Sequence, residues 1–248
     1  MRWSRVIRGE ALRDAFGEAA PQQFAWQTEA RFVSDRERAL VQAAFLPLGR
    51  RVLDLGCAEG ATLHHLGAPA NAVGLDLFPP KLAFARAHVS RSQFVAGSAC
   101  ELPFARGSFD HVLVRDLIHH LPEPARVIDE CARVLSSGGR IDVLEPCRYN
   151  PLIVMHALSQ PAERGELRSS ARFLTTLLGS RFEVDQVRHH QALPLHRILF
   201  HHKMGWPTLA DFGPASALLD GFERLADAVV PAWARMYIHA RGTLRSAD

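Results

Sequence analysis

Short runs of apolar residues, many of them β-branched, alternate with helix-like segments through the middle of the chain. The runs have the length and composition of buried strands. They are VLDL, AVGLD, FVAG, FDHVLV and IDVLE, beginning at residues 52, 72, 94, 109 and 141. Pro79 and Pro80 begin one of the intervening helices. Another, EPARVIDECARVL, has an apolar face, and we expect the SSGG that follows to end this helix. Strands alternating with helices predict a parallel sheet through Glu145.

The two flanks of this regular region have weaker patterns. Residues 1–49 are predicted to be helical, and Ser34 with Glu37 forms a capping-box pattern that predicts a helix from Ser34 to Leu48. Beyond residue 147, a helical stretch to about Gly179 precedes the strand-like RFEVDQV. An irregular segment from Leu193 to Trp233 and the strand-like ARMYIHAR follow. We expect one domain: a helical N-terminal cover (1–49), a core (50–147) and a C-terminal half with insertions (148–248).

Composition and charge exclude several classes of protein. The chain has 248 residues, of which 48% are hydrophobic and 22% charged, so disorder and collagen are excluded. No apolar run is long enough to span a bilayer and the first residues lack a signal-peptide pattern, so we expect a cytoplasmic protein without a membrane span. Its 29 Lys+Arg and 26 Asp+Glu residues are interspersed, which predicts no nucleic-acid partner. The four cysteines form no C-x-x-C pair, and so indicate neither a zinc site nor a disulfide framework.

The turn after the first predicted strand is the expected ligand site, because such sheets bind ligands where that strand meets the next helix. Here the turn contains Gly56, Ala58 and Gly60, which fits the NAD fingerprint poorly, and no G-K-[ST] follows for a P-loop. Asp54 precedes the turn, and Asp76 ends the next strand, where it could bind a ribose diol. Carboxylates beside this turn favour a nucleoside with positive groups and would repel a pyrophosphate. S-adenosylmethionine (SAM) has an ammonium, a sulfonium and no phosphate.

Residues 50 to 147 resemble the class I SAM-dependent methyltransferases, in particular the methyltransferase type 11 group. The segments that carry the resemblance are RVLDLGCAEGATLHHL, AVGLDLFPPKLAFARA and GSACELPFARGSFDHVLVRDLIHHLPEPARVIDECARVLSSGGRIDVLEP. That group includes enzymes of quinone biosynthesis and small-molecule natural-product methyltransferases. The resemblance implies an α/β fold with a Rossmann-like seven-stranded sheet, mostly parallel with an antiparallel last strand, plus helical cover.

The resemblance also assigns cofactor contacts. It implies that the methionine part of SAM is surrounded by Asp54, Gly56, Ala58 and Gly60, and that the Arg115 carbonyl accepts from its ammonium group. Asp76 is then expected to bind the ribose. Leu77 is expected to cover the adenine, whose edge would meet Ser98 and Ala99. Two positions depart from the family pattern. Ala58 stands where glycine is usual, which costs about 1–2 kcal/mol if its backbone is left-handed. Ser98 stands where an acid is usual.

Catalytic candidates lie just after the fourth and fifth strands. His119 and His120 follow the fourth strand and Glu145 ends the fifth, so their side chains are expected at the edge that faces the SAM methyl group. A histidine is suited to take a proton from an acceptor hydroxyl at neutral pH. The His-rich stretch around residues 189–202 lacks the spacing of a metal site, and we expect no metal.

The sequence therefore predicts a methyltransferase that converts SAM to S-adenosylhomocysteine. We expect a small, apolar or aromatic acceptor, methylated at oxygen with a His base, in a pocket between the aromatic residues of the two flanks and the His119 edge. Methylation at carbon or nitrogen of a quinone-like or heterocyclic metabolite is the alternative. A non-catalytic SAM-binding protein is a third possibility. The oligomeric state and the identity of the acceptor stay open.

Overall fold

A seven-stranded sheet forms the centre of the protein in a computed structural model that describes residues 9–201 and 205–246. The strands are β1 (Val52–Leu55), β2 (Ala72–Asp76), β3 (Gln93–Ala96), β4 (Phe109–Arg115), β5 (Leu135–Pro146), β6 (Phe182–His190) and β7 (Tyr237–Leu244). Their order is β3-β2-β1-β4-β5-β7-β6. Strands β1 to β5 pair in parallel, whereas β7 is antiparallel to both β5 and β6. The predicted fold class, including the antiparallel last strand, is confirmed.

Helices cover both faces of this sheet. They are α1 (Gly9–Phe16), α2 (Pro21–Thr28), α3 (Arg31–Phe45), α4 (Ala61–His65), α5 (Pro79–His88), α6 (Pro124–Val134), α7 (Pro151–Ser159), α8 (Ala171–Leu178), α9 (His196–Leu199) and α10 (Gly213–Val229). Short 3-10 segments occur at Ile118–His120, Pro161–Arg168, Pro207–Asp211 and Ala232–Ala234. No helix within the described ranges is both long and apolar enough to cross a membrane.

The alternation of side chains along each strand divides the core into two layers. Leu53 and Leu55 of β1 pack with apolar residues of α6 and α8, while Val52 packs with α3, α4 and α5 on the other face. All three β1 side chains are fully buried. Such burial on both faces explains why these strands appear in the sequence as continuous apolar runs.

Two predicted boundaries were wrong. Helix α3 begins at Arg31, so Ser34 lies inside the helix, where its hydroxyl donates to the Thr28 carbonyl instead of capping. Helix α6 ends at Val134, just before SSGG, but the fifth strand, predicted from residue 141, starts at Leu135 and includes SSGG, with a register shift against β4. At β5 the local turn signal was overridden by pairing with β4.

The two flanks meet over one end of the sheet, but only some of their aromatic residues are enclosed. Trp26 is buried, and its indole N–H donates to the Phe200 carbonyl at 2.7 Å. The ring centroids of Phe32 and Phe200 lie 5.3 Å apart. Other aromatic side chains of the predicted cover are exposed, namely Trp206, Phe212, Phe222 and Trp233.

Candidate active site

The turn after β1 has three residues with left-handed backbone. Gly56, Ala58 and Gly60 have φ values of 75°, 48° and 85°. A Cβ atom at Gly56 would lie 3.0 Å from the Leu117 side chain, which would have to shift, and the positive φ favours glycine there in addition. The Ala58 backbone is strained in this conformation, and its N–H donates to Asp76 Oδ2 at 2.9 Å. The turn is therefore held in shape by the neighbouring strand.

Asp54 supplies a buried carboxylate beneath this turn. Its side chain is 1% exposed, and Oδ2 has no hydrogen-bond partner within the described parts of the chain. Burial raises the pKa of Asp54 to about 7. A buried carboxylate oxygen without a partner is costly, and a cationic or hydrogen-bond-donating ligand would satisfy it.

Asp76 lies at the end of β2, as predicted for the ribose-binding acid. Its Oδ2 accepts from Ala58 and its Oδ1 accepts from the Phe78 N–H at 3.0 Å. Each carboxylate oxygen has a second lone pair, so a diol could still bind. The adjacent Leu77 is 53% exposed and offers an apolar surface beside the site.

The loop after β3 places Ser98 and Ala99 at the same edge of the sheet. Ser98 forms a bridge with Glu101, and its hydroxyl accepts from the Cys100 N–H at 3.2 Å. The Ser98 side chain is therefore already engaged in shaping this loop.

Arg115 ends β4 and belongs to a buried ionic cluster. Its guanidinium donates to Glu37 Oε2 at 2.6 Å, and Arg197 donates to the other oxygen of Glu37. Burial alone would raise the pKa of Glu37, but the charges of Arg197 and Arg115 lower it to about 2. Asp116 pairs with Arg115 at 3.4 Å and accepts from the Tyr237 hydroxyl at 3.4 Å. This cluster joins α3, β4 and α9 beside the cofactor edge.

Glu145 anchors the turn that carries the two histidines. The carboxylate is fully buried, and its Oε1 accepts from the backbone N–H groups of Leu117 and Ile118 at 2.7 and 2.8 Å. Its Oε2 lies 2.7 Å from His119 Nδ1. Both oxygens of Glu145 are therefore engaged by the turn beneath which it lies.

His119 and His120 are in opposite electrostatic situations. Burial would lower the pKa of His119, but Glu145 and Glu163 raise it well above the usual range. Burial and the neighbouring His119 lower the pKa of His120 to about 4. His120 Nδ1 is buried and lacks a hydrogen-bond partner among residues 9–201 and 205–246.

Sequence reasoning missed Glu163. It lies in the Pro161–Arg168 segment, and its Oε2 is 3.3 Å from His119 Nε2 and 3.6 Å from His120 Nε2. The ligand atoms of these three side chains lie within 4.8 Å of one another, a spacing that could hold a metal ion. No local signal marks Glu163, because 44 residues separate it from His119.

His156 lies in a second such cluster with Glu163 and Glu166. The described histidines of the stretch around residues 189–202 are not part of either cluster. His196 Nδ1 lies 2.8 Å from Glu223 Oε1, and His190 packs near His239 with ring centroids 6.0 Å apart. His202 lies outside the described residues.

Comparison with known proteins identifies the core. A family model described as a methyltransferase domain, the type 11 group, matches residues 53–142. Residues 53–142 belong to a class I SAM-dependent methyltransferase domain. The methyltransferase domain thus includes the cofactor turn, both histidines and the end of β4.

Two of the relatives that match are named as quinone methyltransferases. The domain is 36% identical over 112 residues to a ubiquinone biosynthesis O-methyltransferase of Xanthomonas axonopodis pv. citri, covering 41% of this chain and 45% of that protein. It is 36% identical over 113 residues to a demethylmenaquinone methyltransferase of Lactiplantibacillus plantarum, covering 41% and 48%. These matches span less than half of each relative.

Solved structures agree on the fold over a longer range. A SAM-dependent methyltransferase from Thermotoga maritima, described as a possible histamine N-methyltransferase, superimposes with a TM-score of 0.63. The match covers 91% of this chain and 95% of that one at 20% identity. The methyltransferase fold therefore extends through both flanks.

The site residues fit SAM as the cofactor of the methyltransferase domain. Asp54 offers a buried carboxylate with one unpaired oxygen near the end of β1, Asp76 retains acceptor capacity at the end of β2, and Leu77 is an exposed apolar side chain. A ligand with positive charge, a ribose and an apolar base matches these three features.

Proposed function

We propose that the protein transfers the methyl group of SAM to a hydroxyl oxygen of a small, apolar or aromatic acceptor. The observation that carries the proposal is the unpaired Asp54 carboxylate on the same sheet edge as the His119–His120 turn. Two of the matching relatives are named as quinone methyltransferases, one of them an O-methyltransferase, which supports an aromatic acceptor and transfer to oxygen.

SAM supplies a methyl group already activated by the sulfonium. The protein then has to bind the cofactor, orient the acceptor, exclude water and remove a proton. In this proposal Asp54 and the Arg115 carbonyl receive the ammonium group of SAM. Asp76 binds the ribose hydroxyls, and Leu77, Ser98 and Ala99 surround the adenine.

His120 is the proposed base. The carboxylate of Glu163 favours a proton on His120 Nε2, which leaves the lone pair on Nδ1, the nitrogen without a partner among the described residues. His119 has carboxylates at both ring nitrogens and so lacks a free lone pair. The proton would pass from the acceptor hydroxyl to His120 Nδ1. Glu145 acts as a positioning residue, since it holds the turn through Leu117 and His119.

Methylation at carbon is the second candidate, favoured by the match to a demethylmenaquinone methyltransferase. The same His120 nitrogen would then take the proton from the ring carbon after transfer. Mass spectrometry of the products from a panel of phenols and quinols distinguishes an ether from a C-methyl product. A chain that binds SAM and methylates no member of the panel would support a non-catalytic role.

Calorimetric titration with SAM tests the cofactor assignment. Wild-type protein is expected to bind one equivalent. Asp76→Ala is expected to bind at least about tenfold more weakly, because hydrogen bonds to a charged group contribute about 1.5–3 kcal/mol. Asp129→Ala, which removes an exposed surface carboxylate, is the control and should bind normally. No binding by the wild type, or normal binding by Asp76→Ala, contradicts the assignment.

Formation of S-adenosylhomocysteine with the phenol panel tests the base. His120→Ala is expected to lower kcat by about 10²- to 10⁴-fold, the usual contribution of general-base catalysis, with SAM affinity unchanged. His189→Ala, on half-exposed β6, is the control for removing a histidine. Full activity of His120→Ala would mean that another group takes the proton.

A further inference from the structure

We infer that His119, His120 and Glu163 form a binding site for a divalent transition-metal ion of the zinc type. The three side chains come from two segments, the Ile118–His120 turn after β4 and the Pro161–Arg168 segment. Their ligand atoms lie within 4.8 Å of one another. Local sequence patterns do not predict this site, because the two segments come together only in the folded chain.

The distances suit a shared ion better than direct hydrogen bonds. Around a tetrahedral zinc ion with bonds of about 2.0–2.2 Å, neighbouring ligand atoms are roughly 3.4 Å apart. Glu163 Oε2 lies 3.3 Å from His119 Nε2 and 3.6 Å from His120 Nε2. Hydrogen bonds between nitrogen and oxygen are usually near 2.9–3.0 Å. The cluster therefore has the spacing of a ligand set.

His119 has the carboxylate hydrogen-bond partner that is typical of metal-binding histidines. Such a histidine donates its other ring N–H to a carboxylate, which fixes the ring and its tautomer. His119 Nδ1 lies 2.7 Å from Glu145 Oε2, and Glu145 is held by backbone N–H groups of the same turn. This arrangement directs His119 Nε2 towards Glu163.

Burial and donor type select the class of ion. The side chains of His119, His120 and Glu163 are 2%, 16% and 17% exposed, so a bound ion would be largely shielded from water. Two imidazole nitrogens with one carboxylate suit zinc and neighbouring transition metals, whereas Mg²⁺ and Ca²⁺ prefer oxygen ligands. Three protein ligands leave a fourth position open for water or a ligand oxygen.

Metal binding and the proposed base would compete for His120. Coordination at Nε2 forces the ring proton onto Nδ1, so no lone pair is left to accept a proton from an acceptor. This consequence rests on the proposed function, whereas metal binding itself does not. Zn²⁺ is therefore expected to slow methyl transfer in proportion to the occupancy of the site.

Titration of chelator-treated full-length protein with Co²⁺, followed by visible absorption, tests binding without any acceptor. The wild type is expected to bind one equivalent with the strong absorption of four-coordinate cobalt, and Zn²⁺ should displace it. Glu163→Gln should weaken binding at least about tenfold, the lower end of losses seen even for residues that only support a ligand. Glu183→Gln, an exposed acid on β6, should bind as the wild type does.

Circular dichroism of each variant checks that it is folded. If Glu163→Gln does not fold, His120→Asn replaces it, with the same loss expected. Absence of stoichiometric Co²⁺ binding by the wild type, or equal binding by the folded variants, overturns the site. Zinc binding without any slowing of methyl transfer leaves the site intact and contradicts the role of His120 as base.

Discussion

Single residues at the cofactor turn show where a sequence pattern and a backbone conformation come into conflict. Ala58 occupies a left-handed position that glycine normally fills, and its N–H bonds to Asp76. The side chain of Asp76 therefore shapes the turn, in addition to the ribose binding that we propose for it. The sequence showed that alanine stands at position 58 where the family usually has glycine, but only the structure showed that its φ angle is positive.

Ala58→Gly is expected to stabilise the protein by about 1 kcal/mol. The substitution relieves a left-handed conformation that costs an alanine roughly 1–2 kcal/mol, less the greater flexibility of glycine in the unfolded chain. Urea unfolding measures the change. Ala132→Gly, inside α6, is the matched control and should destabilise by about 1 kcal/mol. Equal destabilisation by both variants would show that Ala58 is not strained.

Helix α3 shows how an element takes on a role that its local pattern does not reveal. Glu37 fits a capping box in the sequence, yet its carboxylate is fully buried between Arg115 of β4 and Arg197 of α9. One side chain thus ties the N-terminal cover to the sheet edge and to the C-terminal cover. The prediction failed because a capping box uses only four residues, whereas these partners lie 78 and 160 residues away.

Glu37→Gln is expected to destabilise the protein by about 3–5 kcal/mol, since it removes the buried counter-charge that Arg115 and Arg197 share and leaves Arg115 only the more distant Asp116. Urea unfolding of the two proteins gives the difference. Asp35→Asn, on the exposed face of the same helix, is the control and should change stability by less than about 0.5 kcal/mol. A loss for Glu37→Gln no larger than that of the control would mean that the cluster does not stabilise the covers.

Buried charged side chains join distant elements across the whole molecule. Besides Glu37, the carboxylate of Asp142 on β5 is fully buried and binds His111 of β4 and His239 of β7 at 2.8 and 2.6 Å. Burial would raise the pKa of Asp142, but its hydrogen bonds to His111, His239 and Arg241 hold it well below the usual range. Both carboxylates stabilise the fold only while they are ionised.

Stability is therefore expected to fall as the pH is lowered from about 4.5 to 2. The folded pKa of Glu37 is about 2, against an ordinary value of 4.5, so between these values the unfolded chain binds more protons. The stabilisation is fully present above the ordinary pKa and is lost as the pH falls through the folded one. Urea midpoints measured across this range should decline more steeply for the wild type than for Glu37→Gln. Parallel profiles would contradict the low pKa of Glu37.

The sequence by itself determined the parts of this protein that depend on neighbouring residues. The five core strands, the turn from Gly56 to Gly60 and the acids Asp54 and Asp76 follow from local patterns, because apolar periodicity and turn residues act over a few positions. The parallel pairing of β1 to β5 followed too, since strands alternating with helices form parallel sheets.

Only the tertiary structure decided what those parts do together. It placed Glu145 beneath the histidine turn, gave His119 and His120 opposite charge preferences and brought Glu163 to both rings. The physical reason is that buried charges and hydrogen bonds act across a few ångströms of space, whatever the distance along the chain. A sequence pattern cannot report such contacts, and so the surroundings that distinguish His120 from His119 came from the fold.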